Sequence, residues 1–186
     1  GSISTKPSDM AMFYAALANG GYQVKPQYIY KIENKFGEIV YEAKPKMKKV
    51  YDSKDVAILT YMLENAVNYG TGQSAKVFKD GQLIPMAGKT GTTSDYVSAW
   101  FTGYTPTLAT VVYVGNDDNK SMGAGMTGGV AAAPIWKTYM QTVVDLPNYN
   151  VGVFEFIDDY ITRKDLTTRD IDLQIGLLDR DGVNKR

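Results

Sequence analysis

The stretch that most restricts the fold is AWFTGYTPTLATVVYVG, residues 99–115. Its halves, AWFTGYTP (99–106) and TLATVVYVG (107–115), are almost continuously apolar and meet at Pro106. A proline there suits a turn, because its φ is fixed and it has no amide to give to a central strand. Each half has the length and the aromatic and β-branched content of a strand. A strand that is apolar on both sides must be covered on both sides, so the pair predicts a sheet with helices on each face.

The covering helices are legible on either side of that pair. Ser8 is placed to cap a short helix carrying Met10, Phe13, Tyr14 and Leu17 at helical spacing, and Asn19-Gly20-Gly21 stops it. The alternation in YIYKIENKFGEIVYEA around Asn34–Gly37 predicts a β-hairpin, and KPKMKK (44–49) reads as a solvated linker. A second helix is expected from about Ser53 to Asn68, with Val56, Leu59, Leu63 and Val67 on one stripe, broken by Gly70-Thr71-Gly72. After a glycine-rich loop (123–129), AAAPIWKTYMQTVV predicts a third helix with Pro134 in its first turn, where a missing amide costs little. From Pro147 the chain turns polar, apart from VGVFEF (151–156) and DIDLQIGLL (170–178), and reads as an extension or tail. The expected division is therefore 1–146 and 147–186.

Composition narrows the chemistry. The 186 residues contain no histidine and no cysteine. A Ser-His-Asp triad, a thiol nucleophile and a histidine- or cysteine-held metal are thus impossible within this chain. Twenty basic residues balance twenty acidic ones, so no global field points to nucleic acid. No apolar run approaches the ~18 residues of a membrane-spanning helix. The tail aspartates, among them Asp158, Asp159, Asp165, Asp170, Asp172, Asp179 and Asp181, do not make a calcium loop, since the Asp179–Gly182 end lacks the distal glutamate and interspersed Arg163, Lys164, Arg169 and Arg180 balance the charge. The reading expects no metal and no cofactor.

Catalytic interest centres on PMAGKTGTTSDY, residues 85–96. A phosphate-binding loop would need a glycine five residues before Gly88, where Leu83 stands. Gly123–Gly128 formally matches a dinucleotide fingerprint, but DDNKSM separates it from the preceding strand. The remaining reading makes Lys89–Thr93 a strand lining a cleft. Lys89 and Gly91 would then share one face and Thr90 and Thr92 the other, unless a twist mixes them. Two hydroxyls beside an ammonium bind a carboxylate, Gly91 lets an extended peptide approach, and the Thr92 amide can face a developing oxyanion.

These residues carry a resemblance. Lys89-Thr90-Gly91 is the K-T-G signature of penicillin-binding proteins and β-lactamases. AGKTGTTSDYVSAWFTGYTP (87–106) resembles the surrounding stretch of penicillin-binding transpeptidases, and the doubled threonine and AWFTGYTP are closest to the bifunctional class A enzymes. ALANGGYQVKPQYI (16–29), NYGTGQSAK (68–76) and TGGVAAAPIWKTYM (127–140) follow in the family's order. The resemblance implies an α+β fold, an antiparallel sheet packed between helices. It implies a serine D,D-transpeptidase that cross-links peptidoglycan stem peptides through an acyl-enzyme and is acylated by penicillin. Lys89 and Thr92 would be catalytic, the first through its charge and the second through its amide. Thr90, Gly91, Thr92, Thr93 and Trp100 would bind substrate, with the Gly70–Gly72 loop nearby. Ser98, where class A relatives often carry an aspartate, is a local departure.

No S-x-x-K and no S-x-N occurs in the chain. In the family both precede the first stretch matched here, so the chain reads as the C-terminal half of the domain and is expected to be inactive alone. Its expected partners are stem peptides, β-lactams and the nucleophile-bearing half, on this or a second polypeptide, and no nucleic acid. The implied location is the extracytoplasmic face of the bacterial membrane, through an upstream anchor. Two other classes fit the same residues: a non-catalytic module that keeps the cleft for peptide or β-lactam binding, and a β-lactamase-like hydrolase.

Overall fold

The computed structural model describes residues 4–163 together with Asp165 and Leu166. The tail residues from Arg169 to Asp181 considered above, with the DIDLQIGLL stretch, lie outside the described residues. In chain order the elements are α1 (Pro7–Ala18), β1 (Tyr22–Val24), β2 (Lys31–Glu33), β3 (Ile39–Glu42), β4 (Met47–Lys49) and α2 (Ser53–Asn68). Next come β5 (Phe78–Lys79), β6 (Gln82–Leu83), β7 (Ala87–Thr92), β8 (Ser98–Tyr104) and β9 (Ala109–Gly115). The helices α3 (Ala133–Val144) and α4 (Glu155–Thr162) close the described chain, and a π-helical turn, Gly128–Ala132, leads directly into α3.

The architecture is α+β, built around an antiparallel three-stranded sheet in the order β7-β8-β9. Strand β8 is the central one and is buried along nearly its whole length, as its apolar sequence requires. Among the described residues strand β9 is an edge strand and is only partly covered, so its equally apolar sequence is not matched by full burial. Alternation along the strands divides the core in two. On one face Phe101 meets Trp136 of α3 edge to face at 5.2 Å between ring centroids, with Ala133, Met140 and Val144 of α3 completing a buried stripe. On the other face Tyr104 packs among Tyr14 of α1, Phe154, and Val56 and Ala57 of α2. The sheet is thus packed between helices.

Four local readings need correction. Helix α1 starts at Pro7 with Lys6 as its N-cap, so Ser8 lies inside the helix; the fixed φ of proline starts the first turn earlier than a serine cap would. Phe13 is exposed while Tyr14 and Leu17 are buried. Helix α2 spans the expected residues behind an Asp52 cap, whose Oδ1 accepts from the Lys54 amide at 2.9 Å. Its inner stripe, however, carries Val56, Ala57, Thr60 and Val67, and Leu59 faces outward. The helix is turned so that Thr60 Oγ1 reaches the buried Tyr104 hydroxyl at 2.8 Å, which satisfies two polar groups that would otherwise be stranded. Finally, the stretch 44–49 is more than a linker: β4 pairs antiparallel with β1, Tyr22 opposite Lys49. Backbone pairing does not depend on side-chain polarity, so a lysine-rich run can form a ribbon.

The chain beyond Pro147 begins as structure. Tyr149 Oη lies 2.7 Å from Thr105 Oγ1, Phe154 and Ile157 are buried in the second core, and α4 packs on α2.

Candidate active site

Among the described residues strand β7 is an edge of the sheet, and this placement makes the Lys89–Thr92 stretch available. The Thr93 amide donates to the Ser98 carbonyl at 3.0 Å, continuing the β7–β8 register in which Thr92 faces Ala99 and Gly91 faces Trp100. Antiparallel pairs alternate between bonded and non-bonded. The backbone groups of Gly91 and Lys89 therefore turn inward to β8, and those of Thr90 and Thr92 turn outward along the open edge. Lys89 confirms the direction, since its Nζ curls round the edge to the outward Thr90 carbonyl at 3.2 Å and to Thr90 Oγ1 at 3.3 Å.

The side chains follow the strand alternation. Thr90 and Thr92 share the face that looks at the π-helical turn, and Lys89 and Gly91 share the other. Thr90 Oγ1 lies 2.7 Å from Thr71 Oγ1, so the Gly70–Gly72 loop is joined to the strand through its central residue. Thr92 Oγ1 accepts from the Gly128 amide at 3.0 Å, which leaves its own proton available to donate. Among the described residues no carboxylate forms an ion pair with the exposed Lys89. The result is an edge with one ammonium, two hydroxyls and an outward amide within one strand turn, an arrangement suited to an extended ligand ending in an anion.

Lys89, Thr90, Thr92 and Thr71 come together; Thr93 and Trp100 do not join them. Thr93 Oγ1 accepts from the Ser98 amide at 2.8 Å and so closes the turn into β8. Trp100 lies on the opposite face from the two threonine hydroxyls, edge-on to Tyr113 at 4.8 Å, with its Nε1 donating to Ser98 Oγ at 3.3 Å. The departure at Ser98 is thus occupied by a contact within the sheet.

Gly128 and Gly129, read in the sequence as the end of a glycine-rich loop and as part of the matched TGGVAAAPIWKTYM stretch, were given no role at the site. A Cβ on Gly128 would stand 2.3 Å from the Trp100 carbonyl oxygen and 2.6 Å from that of Gly91. A Cβ on Gly129 would stand 2.8 Å from the Thr71 carbonyl oxygen. The doublet lets the backbone entering α3 lie directly on the sheet beside Thr92. The signal that could have found it is two adjacent glycines immediately before a helical pattern, a place where a close backbone approach is common.

Comparison with known proteins identifies the family. The family model described as the penicillin binding protein transpeptidase domain matches residues 1–141. Penicillin-binding protein 1A of Aquifex aeolicus is 37% identical over 149 residues, which are 80% of this chain and 20% of that protein. Penicillin-binding protein 1A of Neisseria gonorrhoeae is 35% identical over 146 residues, 76% of this chain and 18% of that one. The chain therefore spans about a fifth of the length of these curated relatives. Among solved structures, penicillin-binding protein 1A from Haemophilus influenzae superposes with a TM-score of 0.74 at 26% identity, over 98% of this chain and 31% of that one. PonA1 of Mycobacterium tuberculosis, at 24% identity and a TM-score of 0.68 over 83% of this chain and 41% of its own, shares the fold. With a family match over residues 1–141 and relatives 35–37% identical over three quarters or more of its length, the chain belongs to the penicillin-binding protein transpeptidase domain family.

Proposed function

We propose that this chain carries the K-T-G wall of the active site of an acyl-serine D,D-transpeptidase domain, which cross-links peptidoglycan stem peptides and is acylated by penicillin. The observation that supports it is the open edge of β7, where the outward Thr92 amide, the Thr90 and Thr92 hydroxyls and the Lys89 ammonium converge. A stem peptide lies along this edge as an added strand. Its terminal carboxylate receives hydrogen bonds from the two hydroxyls and the charge of Lys89. The carbonyl oxygen of the penultimate D-alanine then faces the Thr92 amide, which stabilises the negative charge as it develops.

The nucleophile comes from an S-x-x-K segment that these 186 residues do not contain, on the same or a second polypeptide. The serine hydroxyl gives its proton to the adjacent lysine and attacks the carbonyl carbon. The amide C–N bond breaks, and D-alanine leaves with that proton. The amine of a second stem attacks the resulting ester, forms the cross-link, and returns a proton to the serine. A β-lactam enters the same edge and is opened by the serine, but its leaving group stays tethered, so the acyl-enzyme persists. Lys89 acts through its charge, favouring the carboxylate and the anionic transition state.

In this reading residues 1–146 are the C-terminal part of the transpeptidase domain and 147–186 an extension. The domain works on the extracytoplasmic face of the bacterial membrane, tethered by an upstream segment, and this chain alone is inactive. Intact-protein mass spectrometry before and after penicillin tests it. The expected result is one penicillin added to the polypeptide bearing S-x-x-K and none to residues 1–186. A covalent adduct on a serine of this chain, or a complete domain that takes up no penicillin, would sink the proposal.

A further inference from the structure

The charge of this chain is neutral only as a total. Between Tyr22 and Lys49 stand seven lysines against three glutamates, a surplus of four positive charges in a chain that nets zero. These residues form two antiparallel ribbons, β1–β4 and β2–β3, joined as one arm. Among the described residues, β2 and β3 pack substantially on no other helix or strand. A two-stranded ribbon with no partner is marginal in water.

The arm also exposes large aromatic side chains. Tyr28 is 92% exposed, Phe36 75% and Tyr30 72%. In the hairpin Ile32 stands opposite Tyr41 and Lys31 opposite Glu42, so one face is apolar and aromatic and the other charged. At the base, Lys44, Lys46 and Lys48 are all exposed and recur at every second residue. In extended chain that spacing sets them in a row ~7 Å apart. Among the described residues none of the three, nor Lys25 beside them, forms an ion pair. Contiguous exposed apolar surface rimmed by charge marks an interaction site.

We propose that the arm of residues 22–49 is an accessory docking surface, outside the cleft, for an anionic glycan–peptide polymer. The proposal rests on the transpeptidase reading above, since that reading makes such a polymer the substrate. The occupant follows from the chemistry of the surface. Lysines in a row suit carboxylates repeated along a strand, and exposed aromatic faces suit the C–H-rich faces of sugar rings. A lipid surface fits less well. Aromatics and lysines run along both ribbons, whereas the tip that would have to insert carries Asn34, Lys35 and Glu38 around Phe36, and Asn34 Nδ2 donates to Glu38 there. Docking at the arm keeps a polymer on the domain while stem peptides exchange in the cleft, which raises their effective concentration.

Co-sedimentation of the whole chain with protein-free peptidoglycan sacculi, at low and high salt, tests the proposal. Three variants are compared: K44E/K46E/K48E, Y28S/Y30S and K137E, a charge control at an exposed lysine of α3 that lies outside both the arm and the cleft. The substituted arm residues are exposed and lie on different segments, so a folding defect in one variant, read by far-UV circular dichroism, leaves the other informative. The expected result is salt-sensitive binding of the wild type, weakened about ten-fold or more by either arm variant and within about two-fold of wild type for K137E. Arm variants that bind like the wild type would overturn it, as would a wild type that stays in solution or prefers phosphatidylglycerol vesicles to sacculi. Self-association that the Y28S/Y30S variant abolishes, with no binding to sacculi, also overturns it. Penicillin acylation of the complete domain is read separately: arm variants leave it unchanged, so loss of acylation strikes the transpeptidase reading and loss of sedimentation strikes the arm.

Discussion

Replacing Gly128 by alanine is the most searching perturbation of the site's framework. The added Cβ would sit 2.3 Å from the Trp100 carbonyl oxygen, 2.6 Å from the Gly91 carbonyl oxygen and 3.0 Å from the Gly91 amide nitrogen. All three are backbone atoms of paired strands, so no side-chain rotation relieves the clash. The π-helical turn must instead lift away from β7 and β8. Overpacking of this kind costs about 1–3 kcal/mol. Lifting also breaks the 3.0 Å bond from the Gly128 amide to Thr92 Oγ1, which adds about 1 kcal/mol. The expected destabilisation is about 2–4 kcal/mol, which for a chain of this size lowers Tm by roughly 5–15 °C. The assay is thermal unfolding of the chain followed by near-ultraviolet circular dichroism, with Gly37→Ala as the reference. Gly37 has a φ of +83° and nothing within 4 Å of a built Cβ, so its substitution costs only backbone strain, about 1 kcal/mol. If Gly128→Ala melts with the wild type, or no earlier than Gly37→Ala, the close approach of α3 to the sheet does not hold the site together as argued.

Other substitutions test separate links. Thr92→Val keeps the outward amide but removes the acceptor for Gly128, so a loss of about 1–2 kcal/mol is expected in a denaturant melt, together with slower penicillin acylation of the complete domain in stopped-flow. Trp136→Ala empties the space beside Phe101 and strands the Thr110 carbonyl, to which the indole donates at 3.1 Å; a loss of about 3–5 kcal/mol should appear as a lower denaturation midpoint at unchanged slope. Burial, reinforced by Asp158, pushes the Glu64 carboxyl up to about 7. A raised carboxyl favours the folded state most when protonated, so its contribution is complete below the ordinary glutamate range and is lost as pH rises through about 7. Glu64→Gln should therefore gain about 1–2 kcal/mol over the wild type at pH 8 and little at pH 4, and equal gains at both would refute the assignment.

Much of the framework could be read locally. Helix α2 was legible from Ser53 to Asn68 because apolar residues recur at helical spacing up to a glycine-rich break, and α3 because Pro134 suits a first turn. The hairpin around Asn34–Gly37 was legible from alternation and β8 and β9 from nearly unbroken apolar runs meeting at a turn, whereas β7 followed only from the reading of Lys89–Thr93 as a cleft-lining strand. Which residue of a stripe faces inward was not. Leu59 and Thr60 exchange roles because the buried Tyr104 hydroxyl, 44 residues away, needs a partner. The pairing of β1 with β4 was hidden because lysine side chains say nothing about backbone hydrogen bonds. Phe154, within the apolar VGVFEF stretch, and Ile157 were left in a tail because the partner that buries them, Tyr104, is far away in sequence.

By itself, then, the sequence settled most of the elements, the absence of histidine and cysteine side chains, and the motif that carries the resemblance. These depend on residue type and on spacing within a few turns, and short-range backbone preferences act over that distance. Tertiary structure decided that β7 is an edge, that its outward groups are those of Thr90 and Thr92, and that Gly128 lies against Gly91 and Trp100. Those outcomes depend on which strand has a neighbour and on how closely a helix can approach a sheet, and both are settled by contacts between residues far apart in the chain.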